Sequence, residues 1–219
     1  MNWDSVLICG SGPSLRSIKD PFRLGWPVIA VSTAIRYFPK AHAWVSLDGC
    51  QSPHLPEGLA ACGDPEVLKV FPRGRSGVIA GMKGQIVNAE WIDCSRPGTF
   101  LDGEPGLPHT MGRSMLAAVQ WACMTRGATT IVFAGVDLLT DKKDPYAYPE
   151  DVPQGIVDRQ NGGHAMERDQ LRAMAGIASS KGVRFLSWVP DPSPINGFMA
   201  RFDPASLAVL PGAPAEIHA

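Results

Sequence analysis

The sequence predicts a single α/β domain: a doubly wound, mostly parallel sheet with helices on both faces and a lid loop. Three observations predict it. Short apolar runs such as Val6-Leu7-Ile8-Cys9, Val28-Ile29-Ala30-Val31 and Ile131-Val132-Phe133-Ala134 suit strands buried on both faces, and each ends in a glycine or a small polar residue. These runs alternate with helical segments, an order that the right-handed crossover rule resolves into a parallel sheet. A chain of 219 residues at 45% hydrophobic content can bury one substantial core, so residues 1–210 are taken as one domain and 211–219 as a loose tail.

Taken in order, the first strand runs straight into Gly10-Ser11-Gly12-Pro13-Ser14-Leu15. The glycines permit the bend, Pro13 stiffens it, and Ser14 can cap a helix beginning at Leu15. Such a bend gathers backbone N–H groups able to hold a phosphate or carboxylate. It lacks the third glycine of the dinucleotide fingerprint and the Gly-Lys-Ser/Thr of a triphosphate loop. Pro27–Ser32 and Ala43–Asp48 read as the next buried strands. Residues 49 to 110 are rich in Gly and Pro, with weaker strand candidates at Val67–Phe71, Gly77–Ala80 and Ile86–Ile92. Long irregular stretches inside a domain tend to be functional, so this region is expected to face an acceptor.

Gly112-Arg113-Ser114 leads into Met115–Thr125, apolar nearly all round and therefore a buried helix, with Gly127 at its end. The β-branched strand Thr130–Asp137 follows. A lid over about 138–163 carries Pro145, Pro149 and Pro153, and a helix is expected from about Ala165 to Lys181, opened by Gly162-Gly163-His164 and stopped by Gly182. Val183–Trp188 is the last expected strand. Beyond Pro190, prolines and glycines are expected to end regular structure.

Charge and cysteines exclude several classes. Twenty basic against twenty-one acidic residues leave a formal charge of -1, which gives no nucleic-acid groove and no polybasic membrane face. Cys9, Cys50, Cys62, Cys94 and Cys123 are scattered without a C-x-x-C pair, arguing against a disulfide framework or zinc site and for a reducing, cytoplasmic setting. The N-terminal residues lack a basic region and a long apolar run, so neither signal nor membrane span is expected, and peripheral membrane contact stays open.

In an open α/β sheet, ligands bind beyond the carboxyl ends of the strands. Gly10–Ser14, Ser32, Asp48 and Asp137 all fall at such ends and should converge on one cleft.

Together, Gly10-Ser-Gly-Pro-Ser-Leu15, the helix and strand from Ser114 to Phe-Ala-Gly-Val-Asp137, Gly163-His164, and Leu186-Ser-Trp-Val-Pro190 resemble the bacterial sialyltransferases of glycosyltransferase family 42. The first bend and the Gly-Val-Asp strand also resemble the archaeal 6-hydroxymethylpterin diphosphokinase, or MptE-like, family. The first resemblance implies a Rossmann-like enzyme that moves sialic acid from its CMP ester to a sugar hydroxyl with inversion and without a metal. His164 matches the family's Gly-His, whose imidazole takes the acceptor proton. An ordinary imidazole titrates near pH ~6.5 and can accept a proton at neutrality. A helix N-terminus would favour that neutral form further.

The family holds its CMP phosphate with two lid tyrosines. Tyr146 fits one of those positions; the other falls close to Leu139, leaving Tyr148 or Lys142 to substitute. Where the family binds nucleotide through strand-end asparagines, this chain offers Ser32 and Asp48. An ionised aspartate only accepts hydrogen bonds, so Asp48 suits a ribose hydroxyl or a Mg²⁺ on a diphosphate. Ser114 lies near the family's donor-carboxylate turn, and Arg113 suits a carboxylate or phosphate on chemistry alone.

The leading expectation is a sialyltransferase-like enzyme. Gly10, Ser11, Gly12, Pro13, Ser14, Ser32, Asp48, Arg113, Ser114 and Asp137 would bind a CMP-activated acidic sugar. His164 would be the base, with Tyr146 and Tyr148 at the departing phosphate, a glycan or other hydroxyl as acceptor and no cofactor. One alternative is Mg²⁺-dependent diphosphate transfer to a small hydroxymethyl acceptor, with Asp48 and Asp137 on the metal. The other is a nucleotide-binding module without chemistry.

Overall fold

A computed structural model of the chain describes residues 1–18, 20–47, 59–60, 64–72, 86–92, 113–139 and 154–209. The strands are β1 (Ser5–Cys9), β2 (Val28–Val31), β3 (Ala43–Val45), β4 (Leu68–Pro72), β5 (Ala89–Ile92), β6 (Thr130–Ala134), β7 (Arg184–Ser187) and β8 (Ala200–Arg201). They form one eight-stranded sheet in the order β5-β4-β3-β2-β1-β6-β7-β8, and every pairing is parallel. From β1 the chain steps outward one way to β5, then returns to β6 on the other flank of β1. The strand order therefore reverses between β1 and β6, the position at which open α/β sheets part their loops and leave a crevice. Cys9 is level with both Ala30 and Ala134, so β1, β2 and β6 deliver their following loops to one height.

The central strands are apolar because neither face meets water. Val6 to Cys9, Val28 to Val31 and Ile131 to Ala134 are all buried. On one face, Val6, Ile8, Ile29, Val45, Ile131 and Phe133 pack under two α-helices, α1 (Ser114–Met124) and α2 (Gln154–Ser180). Met115 to Cys123 are buried without a break, since α1 lies against β1, β2 and β3 and also against α2. On the other face, Leu7, Cys9, Ala30, Trp44 and Phe71 pack under short 3-10 helices, η1 (Pro13–Ser17), η2 (Phe22–Leu24) and η3 (Ser32–Arg36). There Trp44 meets Phe71 edge to face, with ring centroids 5.3 Å apart. No helix among the described residues is long and apolar enough to cross a membrane.

Three elements differ from the sequence expectation. The helix expected at Leu15 is the 3-10 helix η1, whose N-cap is Gly12, and Ser14 does not cap it. The second α-helix begins at Gln154, well before Ala165, so it takes the last part of the stretch expected as lid. Regular structure resumes beyond Pro190, with η4 (Pro194–Gly197), the two-residue strand β8 and η5 (Pro204–Val209). A two-residue strand carries no periodicity, and β8 is held by its neighbour: Phe202 N donates to Ser187 O at 2.8 Å. Gly77–Ala80 lies outside the described residues.

The β5 edge is tied to α1 by one polar cluster. Glu90 accepts from the buried Trp121 Nε1 at 2.9 Å and from Arg126 at 2.5 Å, while the Arg126 guanidinium lies 4.7 Å from the Trp121 ring centroid. Glu90→Ala leaves the indole N–H without an acceptor, an unsatisfied buried donor costing about 1–3 kcal/mol. Chemical denaturation should register a loss in that range, and a loss below about 0.5 kcal/mol would mean that the cluster is only a surface ion pair.

Candidate functional site

The candidate site at the β1/β6 reversal is built from four segments. The first is the bend Gly10–Ser14. Its amides are largely engaged within the fold: Gly10 N donates to Ala134 O at 2.8 Å, Gly12 N to Gly135 O at 2.7 Å, and Ser14 N to Asp137 Oδ2 at 3.1 Å. Ser14 Oγ donates to the same Asp137 oxygen at 2.8 Å. The anion that the sequence leads one to expect on this bend is thus in part internal, the carboxylate of Asp137. Ser11, half-buried, keeps its backbone N–H and hydroxyl without partners among the described residues, and Pro13 has no N–H to offer.

The second segment, Gly135–Leu139 after β6, connects the bend to α2. Gly135 takes a left-handed φ of 63° and Leu138 one of 49°, so the chain turns sharply twice within four residues. Asp137 is buried, and its backbone carbonyl accepts from Ser193 Oγ at 3.2 Å. The Leu139 carbonyl faces His164, whose Nδ1 lies 2.9 Å from it.

A carbonyl oxygen can only accept, so that contact places the imidazole proton on Nδ1. In the neutral ring Nε2 then carries the lone pair. His164 stands in the third turn of α2, where a helix-terminal dipole no longer reaches. Its pKa is nevertheless lowered below the ordinary value. Burial is the main cause; the Leu139 carbonyl opposes it, the Arg113 charge adds to it, and Asp137 opposes it. The result is the one the sequence suggested, a neutral imidazole at pH 7, reached through burial in place of the dipole.

The third segment is the start of α1. Arg113, at its N-cap position, sends its guanidinium against Gly163 of α2. A Cβ on residue 163 would collide with both Nη atoms, whereas one on Gly162 would meet nothing within 4 Å, so the Arg113 contact accounts for the second glycine of the pair alone. Ser114 Oγ accepts from Leu47 N at 2.9 Å, fastening the end of the third strand to the start of α1. Ser32, with φ 51°, opens η3 after β2, and its carbonyl accepts from Trp44 Nε1 at 2.8 Å.

The fourth segment is α2 itself. Besides His164 it presents Glu167, a buried carboxyl that sequence reading passed over. Its pKa is pushed up to about 7 by burial, with the Arg113 charge pulling the other way. Helical spacing was the available signal: Gly163, His164 and Glu167 share one face at i, i+1 and i+4.

Gly10, Ser14, Arg113, Asp137 and His164 are therefore brought together, and Ser114 and Leu47 adjoin them. Asp48, Tyr146 and Tyr148 lie outside the described residues. Among the described residues no cluster of three or more His, Cys, Asp or Glu is arranged to hold a metal ion.

No known protein-family profile matches the chain, and no curated protein sequence does. Solved structures do match. The MAf glycosyltransferase from Magnetospirillum magneticum AMB-1 has a TM-score of 0.58 and 15% sequence identity over 85% of this chain. The match spans only 32% of that protein, so the chain corresponds to about a third of its length. The sialyltransferase CST-II, crystallised with a trisaccharide acceptor and CMP, has a TM-score of 0.49 and 10% identity, over 90% of this chain and 85% of its own. The neighbours in fold are glycosyltransferases, one of them a sialyltransferase.

Proposed function

We propose that the protein is a sialyltransferase-like glycosyltransferase. It would move an acidic sugar from a CMP-activated donor to a hydroxyl acceptor, with inversion and with His164 as general base. The observation that carries this reading is the His164 contact with the Leu139 carbonyl, which turns an unprotonated Nε2 away from its own anchor at the β1/β6 crevice. Deprotonation of an acceptor hydroxyl needs such a lone pair, held still and neutral near pH 7. Nε2 takes the proton as the hydroxyl oxygen attacks the anomeric carbon, and the bond from that carbon to the CMP phosphate oxygen breaks.

The tyrosine role follows the resemblance read from the sequence, and the others follow from the chemistry of the residues. Arg113 is the cation for the donor's carboxylate or phosphate. Tyr146, with Tyr148 beside it in sequence, steadies the departing CMP, and Asp48 takes a ribose hydroxyl. Ser11 is the bend residue left for the donor. The diphosphotransfer alternative would place Mg²⁺ on Asp48 and Asp137, but Oδ2 of Asp137 already takes both the amide and the hydroxyl of Ser14.

Thermal shifts with CMP, CDP, ATP and GTP, each with and without Mg²⁺, test the reading. CMP and CDP should stabilise the protein independently of metal. A response confined to triphosphates with Mg²⁺ would replace it with diphosphate transfer. Nitrogen NMR of His164 should show an Nδ1–H tautomer titrating below the ordinary 6.5; an Nε2–H tautomer would remove the base.

A further inference from the structure

From Gly163 onward, the buried positions of α2 are Gly163, Glu167, Leu171, Met174 and Ala178, at i, i+4, i+8, i+11 and i+15, so one stripe of the helix turns inward against β7 and α1. Glycine is a poor choice for such a stripe, since it buries no side chain and is disfavoured in a helix interior. Four glycines nevertheless stand in α2, and a Cβ on Gly155, Gly162 or Gly176 would meet nothing within 4 Å. Gly163 is the exception. Its Cβ would fall 2.6 Å from Arg113 Nη1 and 2.7 Å from Arg113 Cζ, and closer still to Nη2, so its three nearest atoms all belong to one guanidinium.

The guanidinium thus lies where the first side chain of the inward stripe would lie. Arg113 reaches it from the start of α1, which is itself fastened: Ala117 N donates to Arg113 O at 3.1 Å, and Leu47 N donates to Ser114 Oγ at 2.9 Å. The next residue along α2 is His164, held by its contact to the Leu139 carbonyl. Adjoining positions of one helix therefore set the cation and the imidazole. A guanidinium is the far end of a flexible side chain, so an alanine at 163 would push it aside before it moved either helix.

We propose that Gly163 is a positioning residue for Arg113: carrying no side chain, it seats the guanidinium against α2 beside His164, where the cation holds the acidic group of the donor. The inference rests on the reading of this site as one for an acidic sugar nucleotide, and adds to it a binding determinant that has no polar atom of its own. An arginine fork grips a carboxylate or phosphate through two parallel N–H bonds, which form only in a fixed orientation. The residue that sets the orientation sets the affinity.

The test is a cycle of Gly163→Ala, Arg113→Ala and the double variant, with Gly162→Ala as control. Gly162→Ala adds helix preference in open space, so it should raise Tm and bind as the wild type does. Calorimetric titration with CMP-sialic acid, in the absence of acceptor, should show affinity falling about 10- to 100-fold in Gly163→Ala and in Arg113→Ala, with no further fall in the double variant. Nitrogen NMR of His164 gives a readout that a loss of stability alone would not move. The Arg113 charge lowers the imidazole pKa, whereas the Leu139 carbonyl and Asp137 raise it and stay in place. Displacing the guanidinium should therefore raise the His164 midpoint in Gly163→Ala, as Arg113→Ala does, and Gly162→Ala should leave it unmoved. A wild-type midpoint and affinity in Gly163→Ala overturn the inference, as does an effect that persists undiminished in the Arg113→Ala background. A raised midpoint with unchanged affinity overturns the role in binding. If the wild type itself does not bind CMP-sialic acid, the sugar-nucleotide reading fails, and the midpoints then decide whether Gly163 seats the guanidinium.

Discussion

On the proposed function, replacing His164 by alanine should lower kcat by about 10²- to 10⁴-fold, the contribution expected of a positioned general base, while CMP should still stabilise the protein almost as in the wild type. The separation arises because the imidazole stands on α2, anchored to the Leu139 carbonyl, whereas the bend Gly10–Ser14 and Arg113 reach the crevice from other elements. Burial and the Arg113 charge hold the imidazole pKa below 6.5, so the acid limb of the wild-type kcat/KM profile should also fall below pH 6.5. Asn and Gln at position 164 keep a polar side chain but no basic nitrogen and should be as inactive as alanine. Unchanged turnover in His164→Ala, or an acid limb at or above the ordinary histidine value, would remove the residue from the chemistry.

Gly135→Ala is expected to be the most damaging glycine-to-alanine change among the described residues. The residue has a φ of 63°, and a Cβ there would stand 2.5 Å from the Gly10 carbonyl oxygen and 2.9 Å from Leu15 Cδ1. A left-handed alanine costs about 1–2 kcal/mol and overpacking a further 1–3 kcal/mol, for a total of about 2–5 kcal/mol. In a domain of this size that is a fall in Tm of roughly 5–15 °C. The loss extends to ligand binding, because the Gly135 carbonyl holds Gly12 N and the same loop aims Asp137 at Ser14. Gly25→Ala is the control. It shares the left-handed φ, at 66°, but its Cβ would meet nothing within 4 Å, so it should cost only the left-handed penalty of about 1–2 kcal/mol. Equal losses in the two variants would show that the contact between β1 and the loop after β6 contributes nothing.

The parallel sheet was legible because its inner strands are apolar on both faces, and the weakly patterned strand expected at Val67–Phe71 emerges as β4. The sheet ends were legible as glycines and small polar residues. α2 was misplaced at its start: Gly162-Gly163 reads locally as a breaker, yet the helix runs through it from Gln154, and the Arg113 guanidinium, fifty positions earlier in the chain, fills the place of a side chain at Gly163. Glu167 was missed for the same reason, since a lone glutamate on a helix reads as a solvated face until the helix is packed against α1.

From residue types and spacing alone came the α/β class, the strand-to-bend motif and the strand ends that gather at one edge of the sheet, while His164 came from the resemblance to family 42. These are properties of neighbours in sequence, where periodicity and turn chemistry act over a few residues. Tertiary structure decided what those groups do to one another: that Asp137 occupies the bend, that Leu139 sets the His164 tautomer, and that Arg113 and Glu167 share one buried field. Hydrogen bonds and charges act through space, and the distances that govern them exist only once the sheet has brought the ends of β1 and β6 side by side.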